Sequence, residues 1–271
     1  MAKVLVVTSG KGGVGKTTST AALGAALATS GKKVVLVDFD VGLRNLDLVM
    51  GAERRVVYDL INVVQGDAKL AQALIRDKRV PALQLLPASQ TRDKDALTDE
   101  GVARVIAELR EKFDWVICDS PAGIERGATL AMRHADVAII VTNPEVSSVR
   151  DSDRIIGLLD SKTEKAEKGE RVEKHLLLTR FDAARAARGE MLNVEDVLEI
   201  LSIPLLGIIP ESFEVLRASN LGSPVTLNNP ASAPARAYFD AAKRLNGEAL
   251  DMTIPSDRKG LFGMLFGRRA A

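Results

Sequence analysis

The run Gly10-Lys11-Gly12-Gly13-Val14-Gly15-Lys16-Thr17 carries the strongest chemical signal in this 271-residue chain. It satisfies G-x-x-x-x-G-K-[ST], whose glycines let backbone N–H groups turn inward around phosphate oxygens. Lys16 is expected to reach the β- and γ-phosphates, Thr17 to ligate Mg²⁺, and Thr18 to support the α-phosphate. The amino end of a following helix adds partial positive charge at the same place. Lys11 is a second lysine that an ordinary phosphate loop does not need. It is expected to act as a further cation for phosphates, within the chain or on a partner's nucleotide.

Three carboxylates lie where a phosphate site needs them. Asp38 and Asp40 close one apolar run, and Asp119 closes another that reads Trp-Val-Ile-Cys-Asp. Asp119 is expected to hold Mg²⁺ through water, and Asp38 to do so from the other side. Asp40 is the candidate for orienting the attacking water. A strand-end aspartate also serves as a turn or cap residue, so the competing reading is ordinary for each of them. Arg180 and the pair Pro210-Glu211 follow two later apolar runs, and their strand-end positions make them candidates for contact with adenine.

These residues need a scaffold that delivers them to one edge. Apolar, β-branched runs predict strands at 3–8, 33–38, 83–87, 115–119, 136–142, 175–179 and 204–209. Several lack polar alternation, as expected of strands buried on both faces of a parallel sheet. Helices are predicted at 16–30, 57–65, 99–113, 147–161, 193–201 and 231–246, and residues 162–174 as an exposed loop. Strand–helix alternation implies an α/β, doubly wound, mostly parallel sheet with helices on both faces, whose ligand loops gather at the carboxyl ends of the strands. The organisation reads as a phosphate-loop domain over 1–246, a linker over 247–258 and an amphipathic tail over 259–271.

Composition excludes several alternatives. The 37 basic and 36 acidic side chains nearly cancel, which argues against a chain that coats nucleic acid over its whole surface. Aromatic residues make up 4%, too few for an array of base-stacking platforms. Cys118 is the single cysteine, so neither an intrachain disulfide nor a cysteine-held iron–sulfur cluster can form, and a reducing cytoplasm suits it. Within a strand, Cys118 reads as a packing thiol. With only His134 and His175 alongside, a His/Cys-rich metal site is not expected. No apolar run approaches the roughly 20 residues of a membrane span, so any membrane contact is expected to be peripheral.

Lys11 followed by Gly-Gly-Val-Gly-Lys-Thr-Thr resembles the deviant Walker A motif of the ParA/MinD ATPases. Further matches are Asp38-Phe39-Asp40, Gly42-Leu43-Arg44-Asn45-Leu46-Asp47, Asp119-Ser120-Pro121-Ala122-Gly123-Ile124-Glu125, Thr142-Asn143-Pro144-Glu145 and Val146-Ser147-Ser148-Val149-Arg150-Asp151. The resemblance implies a SIMIBI-type P-loop ATPase that dimerises around ATP, with Lys11 reaching across the dimer toward the partner's Asp151. It implies that Asn45 helps to position the water. It also implies that Asp119, Pro121 and Gly123 form a switch, with the Gly123 N–H sensing the γ-phosphate. Ser148, Asp151 and Asp153 would belong to a dimer and partner surface, read by a MinC-like division inhibitor and a MinE-like activator. A ParA-like DNA- or cargo-partitioning ATPase is the alternative within the resemblance.

The tail separates those two. On a helix Leu261, Phe262, Leu265 and Phe266 share one face with Met264 beside it, and Arg258, Lys259, Arg268 and Arg269 bracket that face. Basic residues alone would suit nucleic acid, but the apolar face suits anionic membrane lipids. No specific nucleic acid is expected. One such tail binds marginally, whereas two on a dimer gain avidity of about 10²–10⁴. The expected location is therefore the cytoplasm, peripheral on the cytoplasmic face of the inner membrane, under nucleotide control.

Overall fold

The apolar runs form a single eight-stranded sheet in the computed structural model, which describes residues 2–90, 96–252 and 254. The strands are β1 (Lys3–Thr8), β2 (Val34–Asp38), β3 (Ile75–Arg76), β4 (Leu83–Leu86), β5 (Trp115–Asp119), β6 (Val137–Thr142), β7 (Glu173–Phe181) and β8 (Leu205–Pro210). Their spatial order is β3-β4-β2-β5-β1-β6-β7-β8. All neighbours are parallel except β3, which pairs antiparallel with β4 at the edge. The expected doubly wound parallel sheet is thus present.

Both faces of the sheet are covered, which explains the missing polar alternation. Leu5, Val7, Leu36 and Ile117 point into one apolar layer, while Val4, Val6, Val35, Val37 and Val116 point into the other. The helix Lys16–Thr29 is rich in alanine because it is enclosed on nearly every side. A Cβ at Gly24 would come within 2.4 Å of Leu36 Cδ2, so this helix lies close against β2. The helix Ala233–Leu245 covers it from outside, and Ser19 Oγ meets the buried Tyr238 hydroxyl at 3.0 Å.

The departures from expectation have local causes. The helix expected from residue 57 begins at Leu60, because Asp59 and Asn62 form a reciprocal capping box. β7 starts at Glu173, inside the stretch read as loop, and Thr163 caps a single turn over Glu164–Glu167. The helices Leu46–Val49, Leu70–Ala73, Ala183–Ala187 and Val225–Asn228, like strand β3, are too short to show a period. The helices Arg126–Arg133 and Phe213–Asn220 also lie outside the predicted ranges. Beyond Asn246 the chain doubles back: Arg244 donates to the carbonyls of Leu250 (3.2 Å) and Asp251 (2.6 Å). Leu261, Phe262, Met264, Leu265 and Phe266, with the rest of the tail, lie outside the described residues.

Candidate nucleotide site

The phosphate loop joins β1 to the helix Lys16–Thr29 and needs two left-handed glycines, Gly13 (φ 76°) and Gly15 (φ 99°). Gly10 is required for a different reason. A Cβ there would lie 2.2 Å from the Asp151 carbonyl oxygen, because the loop begins in contact with the helix Val146–Leu159. Gly12 is exposed, whereas Val14 is buried and its carbonyl accepts from Thr179 Oγ1 at 2.7 Å, tying the loop to β7. Lys16 is buried and donates to Ser9 Oγ at 2.9 Å, and Ser9 Oγ donates to the Lys11 carbonyl at 2.7 Å. Burial lowers the lysine's pKa, while the charges of Asp119 and Asp40 oppose that shift. Thr17 and Thr18 open the helix half-buried, beside the loop.

β2 and β5 are adjacent and in register, which sets Asp38 against Asp119. Asp38 is fully buried; Oδ1 accepts the Asp40 N–H at 2.8 Å and Oδ2 the Leu46 N–H at 3.3 Å. Burial, and then Asp119, push its pKa well above the ordinary carboxylate value, although the two backbone bonds pull the other way. Asp119 accepts from Thr20 Oγ1 at 2.9 Å and also from Thr17. Burial pushes it up to about 6 despite those hydroxyls and the charge of Lys16, and Asp40 adds to the rise. Asp40 is half-buried close by.

Negative charge here exceeds what one lysine neutralises, which is the electrostatic condition a divalent cation relieves. Among the described residues no group of three or more His, Cys, Asp or Glu side chains is placed to enclose a metal. The donor set here, buried carboxylates beside a threonine hydroxyl, is the hard-oxygen type that suits Mg²⁺, which keeps several waters and takes phosphate oxygens as further ligands. Thr17 and Asp119, hydrogen-bonded to each other, are the groups that would hold such an ion, with Asp38 opposite Asp119.

Two of the expected residues are engaged or buried within the chain. The Gly123 N–H (φ 88°) donates to the Ser9 carbonyl at 3.2 Å, so it must leave that bond before it can meet a phosphate. Ser148 is buried at 1% exposure and faces no partner surface as the chain stands. Asp151 is half-buried against Gly10, whereas Asp153 is exposed. Pro121 lies in the same segment as Gly123, packed near Gly127. Asn45 is exposed at the start of the helix Leu46–Val49 and does not cap it.

Lys11 has partners that sequence reasoning missed. Its Nζ donates to Glu145 Oε2 at 2.9 Å and to Ser147 Oγ at 3.1 Å, and Glu145 Oε1 accepts from Asn143 at 2.6 Å. The Lys11 bond and charge hold the Glu145 carboxyl below its usual range. The acid stands in Thr142-Asn143-Pro144-Glu145, but nothing local announces a lysine from the far side of the chain. Arg180 adopts φ 54° where the β7–β8 register shifts, an uncommon conformation for a non-glycine residue. Phe181 pairs with Pro210, and the Glu211 N–H donates to the Phe181 carbonyl at 2.9 Å, so Arg180, Pro210 and Glu211 converge at two adjacent strand ends. Cys118 is buried with its thiol pushed up to about 12 by burial, as suits a packing residue. A surface cleft of about 630 Å³, lined by Thr98, Arg126, Arg133 and Lys162 among others, shares no residue with the phosphate loop or the three carboxylates.

The family model of the CobQ/CobB/MinD/ParA nucleotide binding domain matches residues 5–225. The septum site-determining protein MinD of Escherichia coli K12 is 61% identical over 270 residues, which cover 98% of this chain and 100% of that protein. This chain belongs to the MinD proteins of that nucleotide-binding family. The MinD cell division protein of Aquifex aeolicus superposes with a TM-score of 0.83 at 42% identity, covering 93% of this chain and all of the other. The MinD protein of Pyrococcus horikoshii, solved complexed with Mg-ADP, superposes with a TM-score of 0.80 at 32% identity, covering 91% and 96% of the two chains. Family membership and the local geometry agree on a nucleotide at the phosphate loop. Among the described residues, no helix is long and apolar enough to cross a membrane.

Proposed function

We propose that this chain hydrolyses ATP to ADP and phosphate, dimerises on ATP, and uses the cycle to place itself on the membrane and select the division site. The observation that carries the ATPase reading is the meeting of Lys16, Thr17, Asp38, Asp40 and Asp119 at the carboxyl ends of β1, β2 and β5. Three intrachain bonds converge on the segment that nucleotide would occupy: Lys16 to Ser9, Gly123 to Ser9, and Lys11 to Glu145. Nucleotide binding replaces them. Lys16 turns to the β- and γ-phosphates, the Gly123 N–H turns to the γ-phosphate, and Lys11 is released toward a second subunit. The Lys11–Glu145 pair is largely exposed and is worth at most about 1 kcal/mol, so it does not prevent that release. Asp40, with Asn45, orients the water for attack. Magnesium, held by Thr17 and through water by Asp119 and Asp38, supplies charge neutralisation at the phosphates. Arg180, Pro210 and Glu211 contact the base.

The domain of residues 1–246 performs this chemistry, 247–258 links, and the tail 259–271 binds anionic lipid as an amphipathic helix. A MinD relative from Aquifex aeolicus was solved as a MinC:MinD cell division protein complex. That complex supports a MinC-like inhibitor as partner here; a MinE-like activator would stimulate hydrolysis and release. Arg150, Asp153 and Arg154 are exposed on the helix Val146–Leu159 and form the partner-facing patch beside the phosphate loop.

Sedimentation with anionic liposomes in ATP, in ADP and without nucleotide tests the whole reading. Binding is expected only with ATP, and removal of 259–271 should abolish it while sparing ATP affinity. The variant Phe262→Glu with Leu265→Glu places charge on the apolar face and keeps every basic residue. Its binding should collapse even at low salt. Persistent ATP-dependent sedimentation of that variant would remove the anchor and favour a partitioning ATPase.

A further inference from the structure

Two segments that rim the nucleotide site leave the sheet far apart and meet again at one guanidinium. The segment after β2 carries Asp40 and Asn45, continues through the helix Leu46–Val49, and reaches Met50 and Gly51. The segment after β8 carries Glu211, continues through the helix Phe213–Asn220, and reaches Gly222. Four strands separate β2 from β8 in the sheet. Even so, a Cβ on Gly51 would come within 2.6 Å of the Gly222 carbonyl oxygen, and one on Gly222 within 2.8 Å of Gly51 Cα.

Arg79, in the turn between β3 and β4, ties this junction. It donates through Nη1 to the Gly222 carbonyl at 3.3 Å and through Nη2 to the Met50 carbonyl at 3.1 Å. Asp77 fixes the guanidinium, accepting from Nε at 3.2 Å and from Nη2 at 2.6 Å. Asp77 is itself buried and accepts the N–H groups of Arg79 (2.7 Å) and Val80 (3.1 Å). Burial opposes its charge, but these bonds outweigh burial and hold the carboxyl below its ordinary value.

We propose that Arg79 is a positioning residue for hydrolysis: it locks the rim that carries Asp40 and Asn45 to the rim that carries Pro210 and Glu211. This rests on the ATPase reading above. The helix Leu46–Val49 is a single turn seated on the core through the buried Leu46 and Met50, and hydrogen bonds at its two ends set its orientation there. At its start the Leu46 N–H meets Asp38, which also receives the Asp40 N–H. At its end the Met50 carbonyl meets Arg79. Releasing that end lets the turn swing about Asp38, and the water-positioning groups move with it. Lysine carries the charge without the planar fork, so it can keep only part of the tie.

Arg79→Ala, Arg79→Lys and Gly222→Ala in the full-length chain test this. Amide hydrogen exchange over residues 45–50 should accelerate in Arg79→Ala, and partly in Arg79→Lys. Single-turnover ATP hydrolysis should slow by about tenfold or more, since a misplacement of about 1 Å can cost on the order of 10²-fold. ATP affinity should fall by much less than the hydrolysis rate, by a few-fold at most, because the phosphate loop is untouched and Arg79 meets the Glu211 segment only at Gly222, beyond the helix Phe213–Asn220. Gly222→Ala should reproduce the slowing with no change of charge. Unchanged exchange over 45–50 overturns the proposal, whether or not the chain hydrolyses ATP. A joint fall of hydrolysis, ATP affinity and melting temperature in Arg79→Lys overturns it as well, by reducing Arg79 to a general stabiliser. A wild-type chain that does not hydrolyse ATP removes the ATPase reading instead, and the exchange measurement still judges the tie.

Discussion

Asp119→Asn should make the nucleotide-free protein more stable while destroying its response to magnesium nucleotide. The carboxyl is fully buried and lifted from 3.8 to about 6, with burial as the main cause. Ionising it in the folded chain therefore costs about 3 kcal/mol relative to the unfolded chain. The sign follows from proton binding. Between pH 3.8 and about 6 the folded state holds the Asp119 proton more tightly than the unfolded state. This group's contribution to stability thus falls as pH rises through that window and stays low above it. Asparagine cannot ionise, and its side-chain oxygen still accepts from Thr20. The difference in stability between variant and wild type should be small near pH 4, grow toward pH 7, and reach about 2–3 kcal/mol there. For a chain of this size that is a rise in melting temperature of roughly 5–10 °C. Thermal melts of both proteins from pH 4 to pH 8, without nucleotide, provide the test. Adding Mg-ADP should stabilise the wild type and leave the variant nearly unmoved, because binding shifts stability by RT ln(1 + [L]/Kd). Parallel pH profiles, or a variant that melts lower than wild type at pH 7, would refute the argument that this carboxylate is held at an electrostatic cost awaiting a cation.

Other perturbations separate the remaining roles. Lys16→Ala should abolish productive nucleotide binding in calorimetry, because the main side-chain counter-charge to the β/γ-phosphates is gone; unchanged ATP affinity would end that assignment. Asp40→Ala should leave ATP affinity intact and slow single-turnover hydrolysis, so a wild-type cleavage rate would remove Asp40 from water positioning. Lys11→Ala should impair ATP-dependent dimerisation in light scattering more than monomeric ATP binding, whereas Glu145→Gln, which frees the lysine, should ease dimerisation by no more than about fivefold for so exposed a pair. A normal dimer in Lys11→Ala would leave Lys11 an in-chain partner of Glu145 only.

What the sequence determined by itself is local. The phosphate loop is contiguous, and its glycines and Lys16 answer to the backbone conformation of one turn, so pattern and chemistry coincide within a few residues. Runs such as Val-Val-Leu-Val carry no polar alternation because helices cover both faces of the sheet, and that signal survives in composition alone. The strand-end positions of Asp38, Asp119, Arg180 and Glu211 follow from the same runs. What only the tertiary structure decided depends on which strands become neighbours. Placing β2 beside β5 buries Asp38 and Asp119 opposite each other; burial raises both carboxyls and Asp119 adds to the rise of Asp38, and no spacing along the chain encodes that adjacency. The contact of Gly10 with the backbone of Asp151 brings the phosphate loop to the helix Val146–Leu159, and nearby Lys11 meets Glu145 and Ser147. Ser148, one residue from the exposed Ser147, turns inward on that helix and is buried. The Ser9 carbonyl claims the Gly123 N–H, and Arg79 joins segments that follow strands separated by four others in the sheet. Each of these is a contact between residues distant in sequence, created when the chain closes on itself. Their physical content is burial and charge proximity, and both are properties of the folded arrangement rather than of any single residue type.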